Sequence, residues 1–420
     1  MKNKMKLLMK NKMIQNGIWL FVLQGFNSLM PFITIPYITR ILSASYFGDF
    51  SLGLNWVGYL QIIVEYGFVL SGTKKLAIES QEKDLKKQNE LYSRVIFSRM
   101  LLCLLCALIL CILLVCLKVN IRVKICMILL FSMVVGVVFQ HNWFFQGKED
   151  MKYITLGNVL GRTISTILIF IFVKKADDLY LYCILYSLNF LLMAFFGYAL
   201  AKYKYETKII PCRFLDIFSE LKDGWYVFTS SAMTKLFSGF GVTYLGFFSS
   251  TYLIGIYSAI YKIPYLVIIL WAPVSTAIYP YISKQFATSW ECGINEIKKY
   301  SKKIVGGYVV MGAIIIVLNR SIVEILFGEE YVEYSYILIP LMLWVIIGII
   351  NNLLGIHTLV SSNHEKEYSK CFNVSIIVSL LLTIVLGYKY TILGISMAMM
   401  ISELVLLILI LISLRRIDEV

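Results

Sequence analysis

Six charged side chains stand in, or at the edge of, runs that are otherwise apolar: Arg40, Glu65, Arg162, Lys235, Lys262 and Glu403. A charge at mid-bilayer costs about 2.5–3.5 kcal/mol on insertion scales, so such residues are retained where they face a cavity or a partner. A lysine meets a phosphate as a point charge and an arginine as a planar fork, so Arg40, Arg162, Lys235 and Lys262 are candidate anion ligands. Arg40 reads equally well as an interfacial snorkel, and Arg162 as the partner of a neighbouring carboxylate. Glu65 reads either as a protonatable coupling group, because carboxylates in low dielectric hold protons more tightly, or as a partner for one of the cations. Glu403 sits in the last run and reads as structural. Asn55 supplies a neutral polar group, and Tyr37, Tyr257 and Tyr261 near the mouths of their runs are flat surfaces on which a sugar ring can stack.

The elements that carry these residues follow from composition. Of 420 residues, 59% are hydrophobic and 15% charged, where ordinary soluble domains have about 45–50% and 25%. With a mean hydropathy of +0.78, this is an integral membrane protein. A disordered chain, a secreted disulfide scaffold and a large water-soluble catalytic domain are all excluded. Runs of about 20 residues span a bilayer. Twelve are read here: 16–39, 47–73, 94–117, 123–146, 151–173, 179–201, 224–248, 251–282, 300–318, 334–358, 368–388 and 391–414. They are solidly apolar rather than alternating, which indicates helices and not a barrel.

Lys and Arg placement sets the orientation. With the N-terminus inside, one side holds most of the 39, from Lys2, Lys4, Lys6, Lys10 and Lys12 through the 74–99 segment, with Lys83 and Arg99, to Arg415 and Arg416. The other side has only Arg40, Lys118, Arg122, Lys124, Lys174, Lys175, Arg320 and Lys389. Both termini are therefore expected in the cytoplasm. The net charge of +14 is spread over every inner loop, so anionic headgroups account for it and nucleic acid is not expected as a partner. The basic start resembles a signal peptide, but its apolar run is too long and no small-x-small cleavage site follows.

A shift of 207 aligns Asn16–Phe21 with Asp223–Phe228 and Gly48–Ser51 with Gly255–Ser258. Spans 1–2 thus match spans 7–8. An even number of spans per repeat gives two halves of like orientation, related by an axis along the membrane normal. The expected organisation is a basic tail 1–15, a six-helix lobe 16–201, a cytoplasmic linker 202–222, a second six-helix lobe 223–414 and a tail 415–420. Under this shift Lys235 and Lys262 stand where the first repeat has Ser28 and Asn55, which places an anion site nearer the second lobe. Prolines 31 and 36 in span 1, and Pro264, Pro273 and Pro280 in span 8, mark hinges or packing kinks. Cys103 and Cys106 have metal-like spacing but lie in an apolar run without histidine, and no zinc motif joins His141, His357 and His364. No Gly-rich phosphate loop of the Walker type exists. No metal or cofactor is expected.

Several stretches, taken together, resemble the polysaccharide biosynthesis transporters, especially O-antigen flippases of the Wzx type. They are Pro31–Gly48, Glu65–Ser71, Trp143–Lys152, Gly255–Ile263, Ala277–Lys284 and Phe327–Tyr331. The sequence departs from the family at Leu42-Ser43, where Leu-Gly often follows the span-1 arginine. The resemblance implies the fold shared by multidrug antiporters and lipid II flippases, two six-helix lobes forming a V. It implies movement of an undecaprenyl-diphosphate-linked oligosaccharide from the cytoplasmic to the periplasmic leaflet of the inner membrane, with an O-antigen polymerase and a chain-length regulator as partners. Two other classes compete with this reading. A drug antiporter of the same fold would favour carboxylates in its cavity, and here cations outnumber Glu65. An O-unit polymerase or ligase needs a sizeable outer loop, and the longest here is 319–333.

Overall fold

A computed structural model describes residues 12–81 and 84–418. Lys2, Lys4, Lys6, Lys10 and Lys83 of the basic segments lie outside the described residues. All regular structure among the described residues is helical. By contact the chain divides into two compact units, Met1–Thr243 and Tyr244–Val420.

The first unit contains α1 (Lys12–Ile41), α2 (Ala44–Glu65), α3 (Phe68–Gln81), α4 (Leu85–Cys116), α5 (Ile121–Val138), the short α6 (Asn142–Gly147), α7 (Met151–Phe172), α8 (Leu179–Tyr205) and most of α9 (Phe214–Phe248). The Asp84 carboxylate caps α4 by accepting from the amides of Lys86 and Lys87 at 2.9 and 3.2 Å, which satisfies donors the helix cannot. Span 2 is not one straight helix. It breaks between α2 and α3 at Tyr66 and Gly67, both at positive φ (46° and 73°). Gly67 is also a point of close approach, since a Cβ there would lie 2.4 Å from Val227 Cγ1 on α9. The segment 202–222 is irregular only between Tyr205 and Phe214, because α8 and α9 extend into it; Pro211 and the Asp216 carboxylate, which accepts from the Arg213 amide at 3.3 Å, set where α9 begins.

The second unit contains the end of α9, then α10 (Thr251–Ile260), α11 (Lys262–Thr288), α12 (Trp290–Val317), α13 (Asn319–Phe327), a 3-10 segment Glu329–Ile337, α14 (Leu338–Leu354) with a π-turn Gly355–Val360, and α15 (Glu365–Asp418). The stretch 319–333, expected as an outer loop, is helical. Val323, Phe327 and Tyr331 recur every four residues and are all buried, so it docks as an amphipathic element. The last helix is a hairpin. Thr391 leaves helical geometry (φ 49°, ψ −123°), and the two arms meet again where Ser375 Oγ donates to the Ser402 carbonyl at 2.7 Å and Cys371 Sγ lies 3.4 Å from Ser413 Oγ.

Nine helical stretches among the described residues are long and apolar enough to cross a bilayer. Counting the α15 hairpin as two and adding the more polar α2 and α9 recovers the twelve read from sequence. The hairpin turn depends on Gly394, where an added Cβ would lie 1.9 Å from the Leu386 carbonyl oxygen. Gly394→Ala should therefore cost about 2–4 kcal/mol, read as a lowered unfolding temperature of the detergent-purified protein. Gly157→Ala, with open space around its Cβ, should be neutral or slightly stabilising. Equal stability of the two variants would contradict this account of the turn.

Candidate functional site

The polar residues of the first unit concentrate along one seam, where α9 runs antiparallel to α2 and α3. As numbers rise on one side they fall on the other. Asn55 Nδ2 donates to Thr243 Oγ1 at 2.8 Å and to the Gly239 carbonyl at 3.3 Å, and Tyr59 Oη shares a hydrogen bond with Thr243 Oγ1 at 2.7 Å. One turn on, the end of the Lys235 side chain lies against Gly58, so close that a Cβ on Gly58 would be 2.9 Å from both Cε and Nζ. Further along, the rings of Tyr66 and Phe228 stack at 4.5 Å, 7° from parallel. At the far end Lys75 Nζ is 2.8 Å from both Glu220 Oε1 and Asp223 Oδ2.

Asn55, Gly58, Ile62 and Glu65 recur at helical spacing and share one face of α2. Glycine at 58 leaves room for the lysine to lie flat on that face. Glu65 accepts from Gln61 Nε2 at 2.8 Å, and its charge acts on both Lys235 and Arg99. Lys235 is thus half-buried against the Gly58 backbone, with Asn55, Tyr59 and Thr243 paired further along the same seam.

The other candidates sit elsewhere. Arg162 on α7 donates to Asn27 Oδ1 on α1 at 2.8 Å, an amide partner rather than the carboxylate its sequence context suggests. Arg40 is exposed near the end of α1. Tyr37 is committed to the end of α7: its hydroxyl donates to the carbonyls of Val173 and Phe170 at 2.8 and 3.2 Å, and its ring stacks on Phe170 at 4.2 Å. Lys262, Tyr257 and Tyr261 belong to the second unit. Tyr257 is buried with its hydroxyl donating to Met399 Sδ at 3.4 Å, and it stacks on Tyr261 at 5.7 Å. Glu403 accepts from Asn351 Nδ2 at 2.5 Å.

Sequence reading missed the companions. Tyr59, Gln61 and Thr243 are ordinary residues until α9 lies against α2. Arg99, counted there among cytoplasmic cations, is buried within α4, donates to the carbonyls of Gln140 and Val137 at 2.7 and 3.2 Å, and covers the Phe68 ring. It closes the end of α5. Its position five residues inside span 94–117 was the available signal. Among the described residues no group of His, Cys, Asp and Glu is arranged to hold a metal.

Residues 13–286 match the family described as Polysaccharide biosynthesis protein. The chain belongs to that family. Two curated relatives carry the name "Putative O-antigen transporter". The one from Escherichia coli (strain K12) is 28% identical over 392 residues, 93% of each chain; the one from Shigella dysenteriae is 27% identical, over 94% of this chain and 98% of its own. Among solved structures, lipid II flippase MurJ in an inward closed conformation superposes with a TM-score of 0.72 at 14% identity, over 96% of this chain and 87% of that one. An inward-facing multidrug resistance MATE transporter of the MOP superfamily gives 0.65 at 13%, over 93% and 98%. The fold of this multi-pass membrane protein is therefore that of the MOP-superfamily transporters.

The Lys75 cluster allows a test of the seam. Burial alone lowers the Lys75 pKa, but hydrogen bonds and charge from Asp223 and Glu220 outweigh it and hold the ammonium above its ordinary value. A raised lysine pKa stabilises the fold fully below the unfolded value, about 10.4, and the contribution is lost as pH rises through the folded value. Lys75→Ala, which leaves the buried Glu220 unpaired, should unfold at lower temperature than the parent from pH 7 to about 9. The gap should begin to narrow above about pH 10.4 and close only above the raised folded value. No gap at neutral pH would remove the Lys75 cluster from the account of the seam.

Proposed function

We propose that this protein is a flippase that carries undecaprenyl-diphosphate-linked O-antigen repeat units from the cytoplasmic to the periplasmic leaflet of the bacterial inner membrane by alternating access. The family and the names of the curated relatives support transport of a polysaccharide precursor. The observation that carries the reading is Lys235, a half-buried ammonium lying on Gly58 in a seam that also holds the hydrogen-bonded Asn55, Tyr59 and Thr243.

A diphosphate and a chain of hydroxyls cross hydrocarbon only if their hydration is replaced. Fixed ammonium and guanidinium groups do this for the diphosphate; amides, hydroxyls and aromatic faces do it for the sugars. In this reading Lys235, Lys262, Arg40 and Arg162 meet phosphate, while Asn55, Tyr257 and Tyr261 meet the glycan. The isoprenoid tail stays in the bilayer. Glu65, whose charge acts on Lys235, is the candidate for coupling the step to an ion. The distribution of lysine and arginine supports both termini in the cytoplasm, and the two lobes are 16–201 and 223–414. The polymerase and chain-length regulator of surface polysaccharide assembly are the expected partners.

Complementation of a flippase-deficient strain, scored by surface polysaccharide, is the test. The parent chain should restore the polymer, and Lys235→Ala and Lys262→Ala should each reduce it by about tenfold, as expected for losing one charge-assisted contact of about 1.5 kcal/mol. A full rate from Lys262→Ala would remove that residue from the phosphate site. Binding of a cationic dye but not of the lipid-linked sugar by the purified protein would instead favour a drug antiporter.

A further inference from the structure

We propose that the exposed face of α12 is a docking site for one anionic diacyl phospholipid of the surrounding bilayer, with its headgroup on Lys298, Lys299, Lys302 and Lys303 and its acyl chains on the apolar stripe that continues from them. The inference goes beyond the flippase reading and stands whatever cargo the protein carries.

The four lysines stand at i, i+1, i+4 and i+5, a spacing that gathers them on one side of α12, and all four are exposed. The residues that α12 buries, Gly293, Ile297 and Gly312, lie on the opposite side. Along the helix the lysine face continues with Gly306, Val309, Val310, Ala313 and Val317, every one of them exposed, Val310 at 59% and Val317 at 80%. On a helix long and apolar enough to cross a bilayer, such a face meets acyl chains. A Cβ added at Gly306 or Gly307 would meet nothing within 4 Å. The helix surface just past the lysines is therefore bare backbone, a shallow step against which a glycerol and its first methylenes can lie.

Two features separate this patch from the lysines that any inner loop carries. The first is its shortage of carboxylates. Lys299 Nζ is 3.2 Å from Glu296 Oε1, while Lys298, Lys302 and Lys303 make no ion pair among the described residues. Lys298 with Lys302, and Lys299 with Lys303, are like charges at i,i+4, which repel each other and weaken a helix. Two such pairs side by side call for an anion between them, and a phosphate diester supplies it. The second feature is depth. The Tyr300 ring has Tyr281 at 5.7 Å, edge to face, and the Lys299 ammonium at 5.5 Å. Tyrosines gather at the headgroup level of a bilayer, so the ammonium groups stand where lipid phosphates lie and the valines begin about two turns deeper. The face is convex and open along its length, which suits a bilayer lipid lying against it rather than a carrier lipid that has to be enclosed.

The test measures binding of phosphatidylglycerol and of phosphatidylcholine with the same acyl chains to the detergent-purified full chain by native mass spectrometry. The parent should prefer phosphatidylglycerol. Lys302→Gln and Lys303→Gln should each weaken phosphatidylglycerol by about fivefold, the worth of one lysine at an anionic surface, and leave phosphatidylcholine unchanged. The double variant Lys366→Gln, Lys370→Gln removes two exposed lysines from α15 in the same unit and should change neither. Every altered side chain is exposed, so unfolding temperatures without lipid should match the parent's. Equal binding of the two lipids by the parent overturns the site, and so does an equal loss in the α15 double variant, which would make net charge the cause. Equimolar inorganic phosphate and equimolar undecaprenyl diphosphate should both fail to displace phosphatidylglycerol. Displacement by the first would assign the lysines to a soluble anion, and displacement by the second to the carrier lipid; either result overturns the proposal. None of these outcomes touches the transport reading, which complementation decides separately.

Discussion

A lysine cannot sit in hydrocarbon without company, and the arrangement of the first unit follows from that. Lys235 needs hydrogen-bond acceptors and a nearby negative charge. α2 lays Gly58 beside its ammonium and carries Asn55 and Glu65 at helical spacing on the same face. Glycine at 58 is what allows the ammonium to reach the helix surface. The same contact explains why α2 and α9 are less apolar than the other spans. Their hydrophobicity has been exchanged for a seam of amides, hydroxyls and charges that is satisfied between the two helices.

Around that seam several polar groups of the first unit tie its helices together. Arg122 pairs with the wholly buried Asp49 at 2.7 Å and fixes the start of α5 to α2. Arg99 closes the end of α5 on its free carbonyls. Arg162 ties α7 to α1. Such contacts make a rigid frame, which a carrier requires if one small region is to change partners while the rest holds its shape. In the second unit the hairpin at Thr391 does comparable work by bringing Met399 and Glu403 against α10 and α14.

Much of this was legible in the sequence. Long apolar runs give helices and their number. The charged residues within them give the candidate site, because the cost of burying a charge leaves few innocent explanations. What periodicity could not supply was partnership. Asn55 was visible as a polar residue, but its bond to Thr243 depends on an antiparallel packing between segments some 190 residues apart. Tyr37 and Tyr261 look alike as aromatics near span mouths, yet one is consumed by the carbonyls ending α7 and the other is packed among the rings of Tyr257, Tyr265 and Trp344. The stretch 319–333 looked like a loop because its charges interrupt the apolar pattern; its buried face, one residue in four, is too narrow to register in a hydropathy average.

The central claim is that Lys235 faces an aqueous, anion-accepting space and not acyl chains. It is tested most directly by placing cysteine there. In a functional background lacking the nine native cysteines, Lys235→Cys in native membranes should react with a charged, membrane-impermeant methanethiosulfonate reagent, and lipid-linked diphosphate should slow that reaction. No labelling from either side of the membrane, in protein that is folded and inserted, would contradict the account.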